Sequence, residues 1–231
     1  MQNTSAAIIV AAGASRRMQG RDKLWMPLAG RVTLARTIDV FEASPLIESI
    51  VLVSSIERLA DTTSLCNNEG WRKIAAIVPG GARRQDSVCA GLDALAVVAP
   101  GTQWVMIHDA ARPLVTPAIL AAGLISAQEH QATIAAVPVK DTIKLVQEGR
   151  VTATLDRSQL WAIQTPQVFS FPLIHQAHHN PAAQKEVTDD ATLLEQLGHS
   201  VAIFPGAYTN IKITTQEDLF LAEAFIQGHK T

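Results

Sequence analysis

The sequence predicts an α/β protein with a doubly wound, mostly parallel sheet and helices on both faces, a Rossmann-like layout. Short apolar runs alternate with segments of helical periodicity along the chain, and several runs are too continuously apolar to leave one face in water. Repeated strand–helix alternation of this kind builds parallel sheets covered on both sides. At 231 residues the chain is long enough for one sizeable core, so a single domain over 1–231 is expected.

Taken in chain order, "AAIIVAAG", "SIVLVSS", "KIAAIVPG", "WVMIHDA", "TIAAVPV" and "HSVAIFPG" are the expected strands. Helical spacing joins Leu34, Ile38 and Phe41, then Val88, Leu92 and Leu95, then Ile119, Leu120 and Leu124, and finally Leu193, Leu194 and Leu197. Thr116 ahead of Pro117 marks one helix start, a capping hydroxyl before a proline at the first helical position. Thr214 with Glu217 reads as a capping box at another. One stretch breaks the alternation: from Lys140 to Phe171 alternating residues flank Glu148-Gly149, which predicts a hairpin arm over about 140–171, suited to pairing with a second copy of the chain. No internal repeat, low-complexity stretch or long linker interrupts this order.

Composition narrows the partners. With 19 basic and 21 acidic residues the net charge is -2, too small to hold a nucleic acid or an anionic membrane through a global field. Phosphate recognition must therefore be local. No apolar run approaches the length that spans a bilayer, and Arg16 and Arg17 follow the first apolar segment where a signal peptide has its cations in front. Neither nucleic acid nor membrane is expected as a partner, and the cytoplasm is the expected location. Cys66 and Cys89 have no CxxC spacing and read as small buried side chains.

Three strand ends carry candidate chemistry. In "AAGASRRM", Ala11, Ala12, Gly13, Ala14 and Ser15 let backbone N–H groups come close to a ligand, and Arg16, Arg17, Arg21 and Lys23 outnumber Asp22 nearby. Either this is a tight connection with solvated arginines or it meets a polyphosphate. "PGGARRQDS" puts Gly80, Gly81, Arg83 and Arg84 before Asp86 and Ser87, at a helix start that is either an ordinary cap or an anion site. In "HDAARP", Asp109 either caps and pairs with Arg112 or holds Mg²⁺ against phosphate oxygens. Thr142, Arg157, Thr165, Thr188 and Lys212 are singly ordinary. His175 and His179 have i, i+4 spacing, but no neighbouring Cys or third His in the sequence closes a zinc site, so metal is not expected there.

Together these stretches resemble the 2-C-methyl-D-erythritol 4-phosphate cytidylyltransferases. The resemblance runs almost end to end, through "AAGASRRM", "GGARRQDSV", "HDAARP", "VPVKDTIK", "LDRSQLWAIQTPQ", "TDDA" and "NIKIT". Val10 stands where the family usually has proline, and Ser15 where glycine commonly precedes the double arginine. In "QGRDKLWMPL" Lys23, unlike Arg21, keeps the register to the following Pro-Leu. The resemblance implies transfer of a cytidylyl group from CTP, with Mg²⁺, to a small polyol phosphate in non-mevalonate isoprenoid synthesis. It places Ala11 to Ser15, Gly81, Ala82 and Ser87 around the nucleotide, with Asp109 and Ala110 near the ribose. Arg17 and Lys23 would act on the reacting phosphate. Arg112, Thr142, Arg157, Thr165, Thr188 and Lys212 would hold the acceptor, with Arg157 and Lys212 orienting it for attack. Family members are homodimers with interlocking arms, so Arg157 and Thr165 would serve the neighbouring site. The rivals are a ribitol-5-phosphate cytidylyltransferase, whose relatives tend to lack the double alanine of "HDAARP", and a non-catalytic nucleotide-binding regulator, expected to lose some of the four cations.

Overall fold

The computed structural model describes residues 4–13, 22–181 and 185–228. Its centre is a seven-stranded sheet ordered β11-β7-β10-β6-β1-β4-β5. The strands are β1 (Ser5–Ala11), β4 (Ser49–Ser54), β5 (Ile74–Pro79), β6 (Trp104–Asp109), β7 (Ala132–Pro138), β10 (Trp161–Ser170) and β11 (Ala202–Pro205). A short ribbon of β2 (Pro27–Leu28) and β3 (Arg31–Val32) precedes the first helix, and β8 (Lys144–Gln147) pairs with β9 (Arg150–Thr154) away from the sheet. Each apolar run expected to be a strand lies in the sheet. The alternation of side chains divides the core: Ala7 and Ile9 of β1 face one side, Ala6 and Ile8 the other.

Helices cover both faces. On one side α1 (Thr33–Ala43), α2 (Leu59–Glu69) and α4 (Pro117–His130) bury Leu34, Ile38, Phe41, Cys66, Leu120 and Leu124 against Ile9, Leu52 and Met106. On the other, α3 (Arg84–Val98), α5 (Phe171–His178) and α6 (Asp190–Gln196) pack Val88, Leu92, Ile174 and Leu194 on Ile8, Val53 and Ile107. Each fully buried Leu or Ile of this kind stabilises the fold by roughly 1.5–3 kcal/mol. The last helix, α7 (Gln216–Gly228), closes a smaller cluster of Leu28, Ile213, Leu219 and Ala222.

The caps hold with one change. Thr116 Oγ1 accepts from the Ile119 N–H at 3.4 Å, with proline in the first turn of α4. At α7 the acid that reaches back to the Thr214 N–H is Asp218, at 2.8 Å, and it also accepts from the Thr214 hydroxyl at 2.6 Å. Glu217 is thus not the partner of Thr214, because α7 starts later than the sequence pattern suggests.

The arm is shorter than the stretch 140–171. A two-residue turn at Glu148 (φ 48°) and Gly149 (φ 76°) joins β8 to β9, both residues in the left-handed region that a tight twisted hairpin demands. The last third of the stretch is β10, which runs antiparallel between β6 and β7 in the central sheet. Two glutamines and a proline hide this strand from a hydrophobicity pattern. The sheet tolerates Pro166 at a register shift between Ile163 and Gln167. Gln164 Nε2 donates to the Ala207 carbonyl at 2.8 Å and Gln167 Nε2 to Asp189 at 3.0 Å, so the buried amides are satisfied.

Candidate active site

Chain order reverses at β1: β4 and β5 follow on one side, and β6 lies on the other. In a parallel sheet the loops leaving the strand ends diverge at such a point and open a crevice. Here a cavity of about 940 Å³ opens there. Ala11, Ala12 and Gly13 leave β1, Ser55 to Glu57 leave β4, Gly80 to Arg84 leave β5, and Asp109 and Ala111 end β6; all of these line it, with Lys23 and Lys212.

Close approach explains Gly80. A Cβ there would run into the Ala12 methyl and stand 2.7 Å from Ser87 Oγ, so the loops after β1 and β5 can touch only if this position has no side chain. Ser87 Oγ accepts from the Gly81 N–H at 3.1 Å and fixes that loop over the start of α3. The helix begins at Arg84, before the Asp86–Ser87 start expected from sequence, and Asp86 turns back to accept from the Arg83 N–H at 3.0 Å. The N-terminus of α3 therefore faces the cavity with its dipole favouring anions.

Asp109 is the electrostatic centre. Lys212 Nζ stands 2.7 Å from its Oδ2, Arg84 Nε 3.4 Å from its Oδ1, and Arg112 Nε 4.0 Å from Oδ2. Burial alone would raise the Asp109 pKa, but the charges of Arg84 and Lys212 outweigh it and hold the carboxyl well below the usual range. Arg84 also reaches the fully buried Asp190 at 2.8 Å, and His178 Nε2 lies 3.3 Å from the other Asp190 oxygen. Burial pushes against the Asp190 charge as well, yet Arg84 and His178 keep its pKa lowered. Arg84 is thus clamped between two acids, one in the cavity wall and one in the core.

Beneath Asp109 the hydrogen bonds assign a tautomer. Thr165 Oγ1 accepts from the Asp109 N–H at 3.0 Å, so its own proton goes to His108 Nδ1 at 3.1 Å. His108 Nε2 then carries the ring proton and donates to the Arg112 carbonyl at 3.1 Å. Burial pushes this imidazole down to about 4, so it is neutral at pH 7. The loop bearing Lys212 is tied to the same floor: Arg112 Nη1 donates to the Asn210 carbonyl at 2.8 Å and the Ile213 N–H to the Ala111 carbonyl at 2.8 Å.

Most nucleotide-side residues expected from sequence thus meet at one cavity, Ala11, Ala12, Gly13, Lys23, Gly81, Ala82, Ser87 and Asp109, and Lys212, expected on the acceptor side, joins them. Ala14, Ser15 and Arg17 lie outside the described residues. Ala110 does not join them, because its methyl is buried in the core and Ala111 takes the place in the wall. Arg112 and Thr165 lie behind Asp109, spent on the loop and on His108. Thr142, Arg157 and Thr188 are exposed and outside the cavity of their own chain; Arg157 donates to the Lys140 carbonyl at 2.9 Å. Arg84 and Asp190 were not among the expected site residues. The second arginine of "GGARRQDS" was a signal for the first; nothing in "TDDA" told which aspartate would be buried.

A rim of backbone donors and cations at the switch point of a doubly wound sheet, with no nucleophile–base pair among the described residues of its wall, has the make-up of a nucleotidyltransferase site. The particular family follows from likeness over the whole chain: the family model described as 2-C-methyl-D-erythritol 4-phosphate cytidylyltransferase matches residues 5–228, and the chain belongs to that family. A relative of that name from Dehalococcoides mccartyi is 46% identical over 222 residues, covering 96% of this chain and 95% of the relative. One from Geobacter metallireducens is 44% identical over 228 residues, covering 96% and 97%. Among solved structures, a 4-diphosphocytidyl-2C-methyl-D-erythritol synthase from Anaerococcus prevotii superposes with a TM-score of 0.85 at 31% identity, covering 97% of this chain and 99% of that one.

Proposed function

We propose that the cavity binds CTP and transfers its cytidylyl group to 2-C-methyl-D-erythritol 4-phosphate, releasing pyrophosphate, in the non-mevalonate route to isoprenoid precursors, the whole chain acting as one catalytic domain. The observation that carries this is the convergence of Lys212 and Arg84 on Asp109 beside the glycine-bearing loops after β1 and β5. An acceptor phosphate oxygen attacks the α-phosphorus, and the bond from that phosphorus to the bridging oxygen of the β-phosphate breaks. The acceptor monoester has a second pKa of roughly 6, so it is largely dianionic at neutral pH and requires no general base. Repulsion between two anions is the obstacle, and fixed cations relieve it.

In this reading Ala11 to Ser15, Gly81, Ala82 and Ser87 receive the nucleotide, and Arg17 and Lys23 stabilise charge growing on the α-phosphate and the leaving pyrophosphate. Asp109 and its neighbours lie near the ribose. Lys212, Arg157, Arg112, Thr142, Thr165 and Thr188 belong to the acceptor side, where Lys212 and Arg157 hold the attacking group in line. Asp109 is an ionised carboxylate that a divalent cation could share with Lys212 and Arg84, in a wall that carries two further acids, Asp22 and Glu57, beside the cations and backbone donors for phosphate, and carboxylate with phosphate oxygen is the mixture Mg²⁺ prefers. Bound there with the triphosphate, Mg²⁺ would neutralise its charge.

In this reading Arg157 on the arm serves a second copy. Leu145, Val146, Val151, Trp161 and Ile163 are exposed apolar residues on or beside the hairpin, and a homodimer that covers them would carry Arg157 to the neighbouring cavity. The deciding assay is pyrophosphate release with each of the four NTPs against methylerythritol phosphate and ribitol 5-phosphate. Product is expected with CTP and the first acceptor; product with only the second would move the substrate to ribitol phosphate, and none with any pair would reject the reaction.

A further inference from the structure

On the face of the sheet that carries α3 and α5, two helical i, i+4 pairs confront each other. Cys89 and Asp93 project from α3, and His175 and His179 from the end of α5. His175 Nε2 lies 3.1 Å and His179 Nε2 2.7 Å from the same oxygen, Asp93 Oδ1. Cys89 Sγ stands 3.9 Å from Asp93 Oδ2, and ligand atoms of Cys89, Asp93 and His179 all lie within 4.8 Å of one another. His175 stacks on Phe171 at 5.4 Å, which fixes its ring plane.

These separations have a simple measure. A tetrahedral zinc ion with nitrogen or oxygen at about 2.0 Å and sulfur at about 2.3 Å sets its ligand atoms roughly 3.3–3.6 Å apart. The two imidazoles must open from the carboxylate by a few tenths of an ångström, Cys89, Asp93 and His179 must draw together from separations of up to 4.8 Å, and His175, which reaches the set through Asp93, must swing in to complete it. Side-chain exposures of 32% for His175, 49% for His179 and 50% for Asp93 leave room for that adjustment and a path for the ion. In sequence the thiol lies far from the histidines, and only the packing of α5 on α3 supplies it.

We propose that Cys89, Asp93, His175 and His179 form a binding site for a divalent transition metal of the zinc class, which ties α3 to α5. On binding, the Cys89 thiol loses its proton to solvent and each histidine binds through Nε2, its ring proton moving to Nδ1. The site lies apart from the catalytic cavity and shares no residue with it. It stabilises the helix whose N-terminus faces that cavity.

The test is a Co²⁺ titration of the purified full-length chain with a non-thiol reductant present. Expected are a thiolate-to-cobalt charge-transfer band and strong ligand-field absorption, saturating at one equivalent and removed by Zn²⁺. The chain has two cysteines, and Cys66 lies buried on the opposite face, so the band must survive in Cys66→Ser and vanish in Cys89→Ser. His179→Ala and His175→Ala are each expected to weaken binding by at least about tenfold. Circular dichroism of each variant without metal separates lost ligands from lost fold. Absence of the band in the wild-type chain, or its persistence in Cys89→Ser, overturns the site.

Discussion

The cavity and the arm place their charged residues in opposite ways. In the cavity wall, Asp109 is nearly buried and fastened by Arg84 and Lys212, Arg84 is fastened again by the buried Asp190, and His108 and Thr165 support the backbone beneath. On the arm, Arg157 is exposed with a carbonyl of the same segment as its partner, and the neighbouring apolar side chains have no cover. A single chain therefore preorganises the cavity wall, and under the proposed reaction Arg157 would be left for a second copy to place. Buried ion networks hold a site rigid; an exposed arm can be oriented only by what it packs against.

The sharpest way to break this comparison is subunit complementation. Arg157→Ala and Lys212→Ala should each lower kcat/KM by about 10²-fold or more, the usual effect of deleting one preorganised donor. If Arg157 serves the neighbour's cavity, mixing the two inactive variants under exchange conditions should restore activity. Random pairing makes half of the dimers hybrid, and each hybrid has one intact site, so recovery approaches about a quarter of wild-type turnover. If Arg157 serves its own cavity, every site in every dimer carries one defect and no activity is recovered; that result would return Arg157 to its own cavity.

The next effect belongs to the cavity alone. Asp190→Asn leaves Arg84 buried against a neutral amide and should cost about 3 kcal/mol of stability, read as a drop in the urea midpoint. Thr142→Ala on the exposed connection to the arm should leave stability within about 0.5 kcal/mol of wild type.

A pH series sharpens the same contrast. The His108 pKa is depressed to about 4, so below pH 6.5 the unfolded chain binds a proton that the native chain refuses. Stability should be full above that value and fall by on the order of 2–3 kcal/mol between about pH 6.5 and 4. Asp109 and Asp190 are also depressed, so their contribution is present above the ordinary carboxylate range and lost as pH falls below it. His108→Asn keeps a donor and an acceptor but has nothing to titrate; its urea midpoint should lose the upper window and retain the lower one.

How far the sequence reaches follows from the same chemistry. Continuous apolar runs announce strands covered on both faces, so β1, β4, β5, β6, β7 and β11 are legible, and their ends place the cavity loops. β10 is not, because Gln164, Pro166 and Gln167 look like a loop until their partners are known. The arm's tip is plain from Glu148-Gly149, whereas its base is not, because the end of the same stretch, Trp161–Ser170, enters the sheet as β10. Within the site, Lys212 could be named but not the Asp109 contact that aims it. Arg84 and Asp190 form a buried pair between segments remote in sequence, and neither residue type signals burial.

The smallest expected effect on folding completes the contrast. Val146→Ser and Val151→Ser remove apolar surface that is 60% and 61% exposed in the single chain, so each should shift chain stability by less than about 0.5 kcal/mol. Surface that contributes nothing to its own chain can still hold a partner. Sedimentation of the double variant should therefore show a shift from dimer to monomer, with activity falling in parallel as Arg157 leaves the neighbouring site. A variant that stays dimeric with unchanged turnover would show that the arm's apolar face is not what joins the two copies, and the covering of Trp161 and Ile163 would then have to be sought along the exposed start of β10.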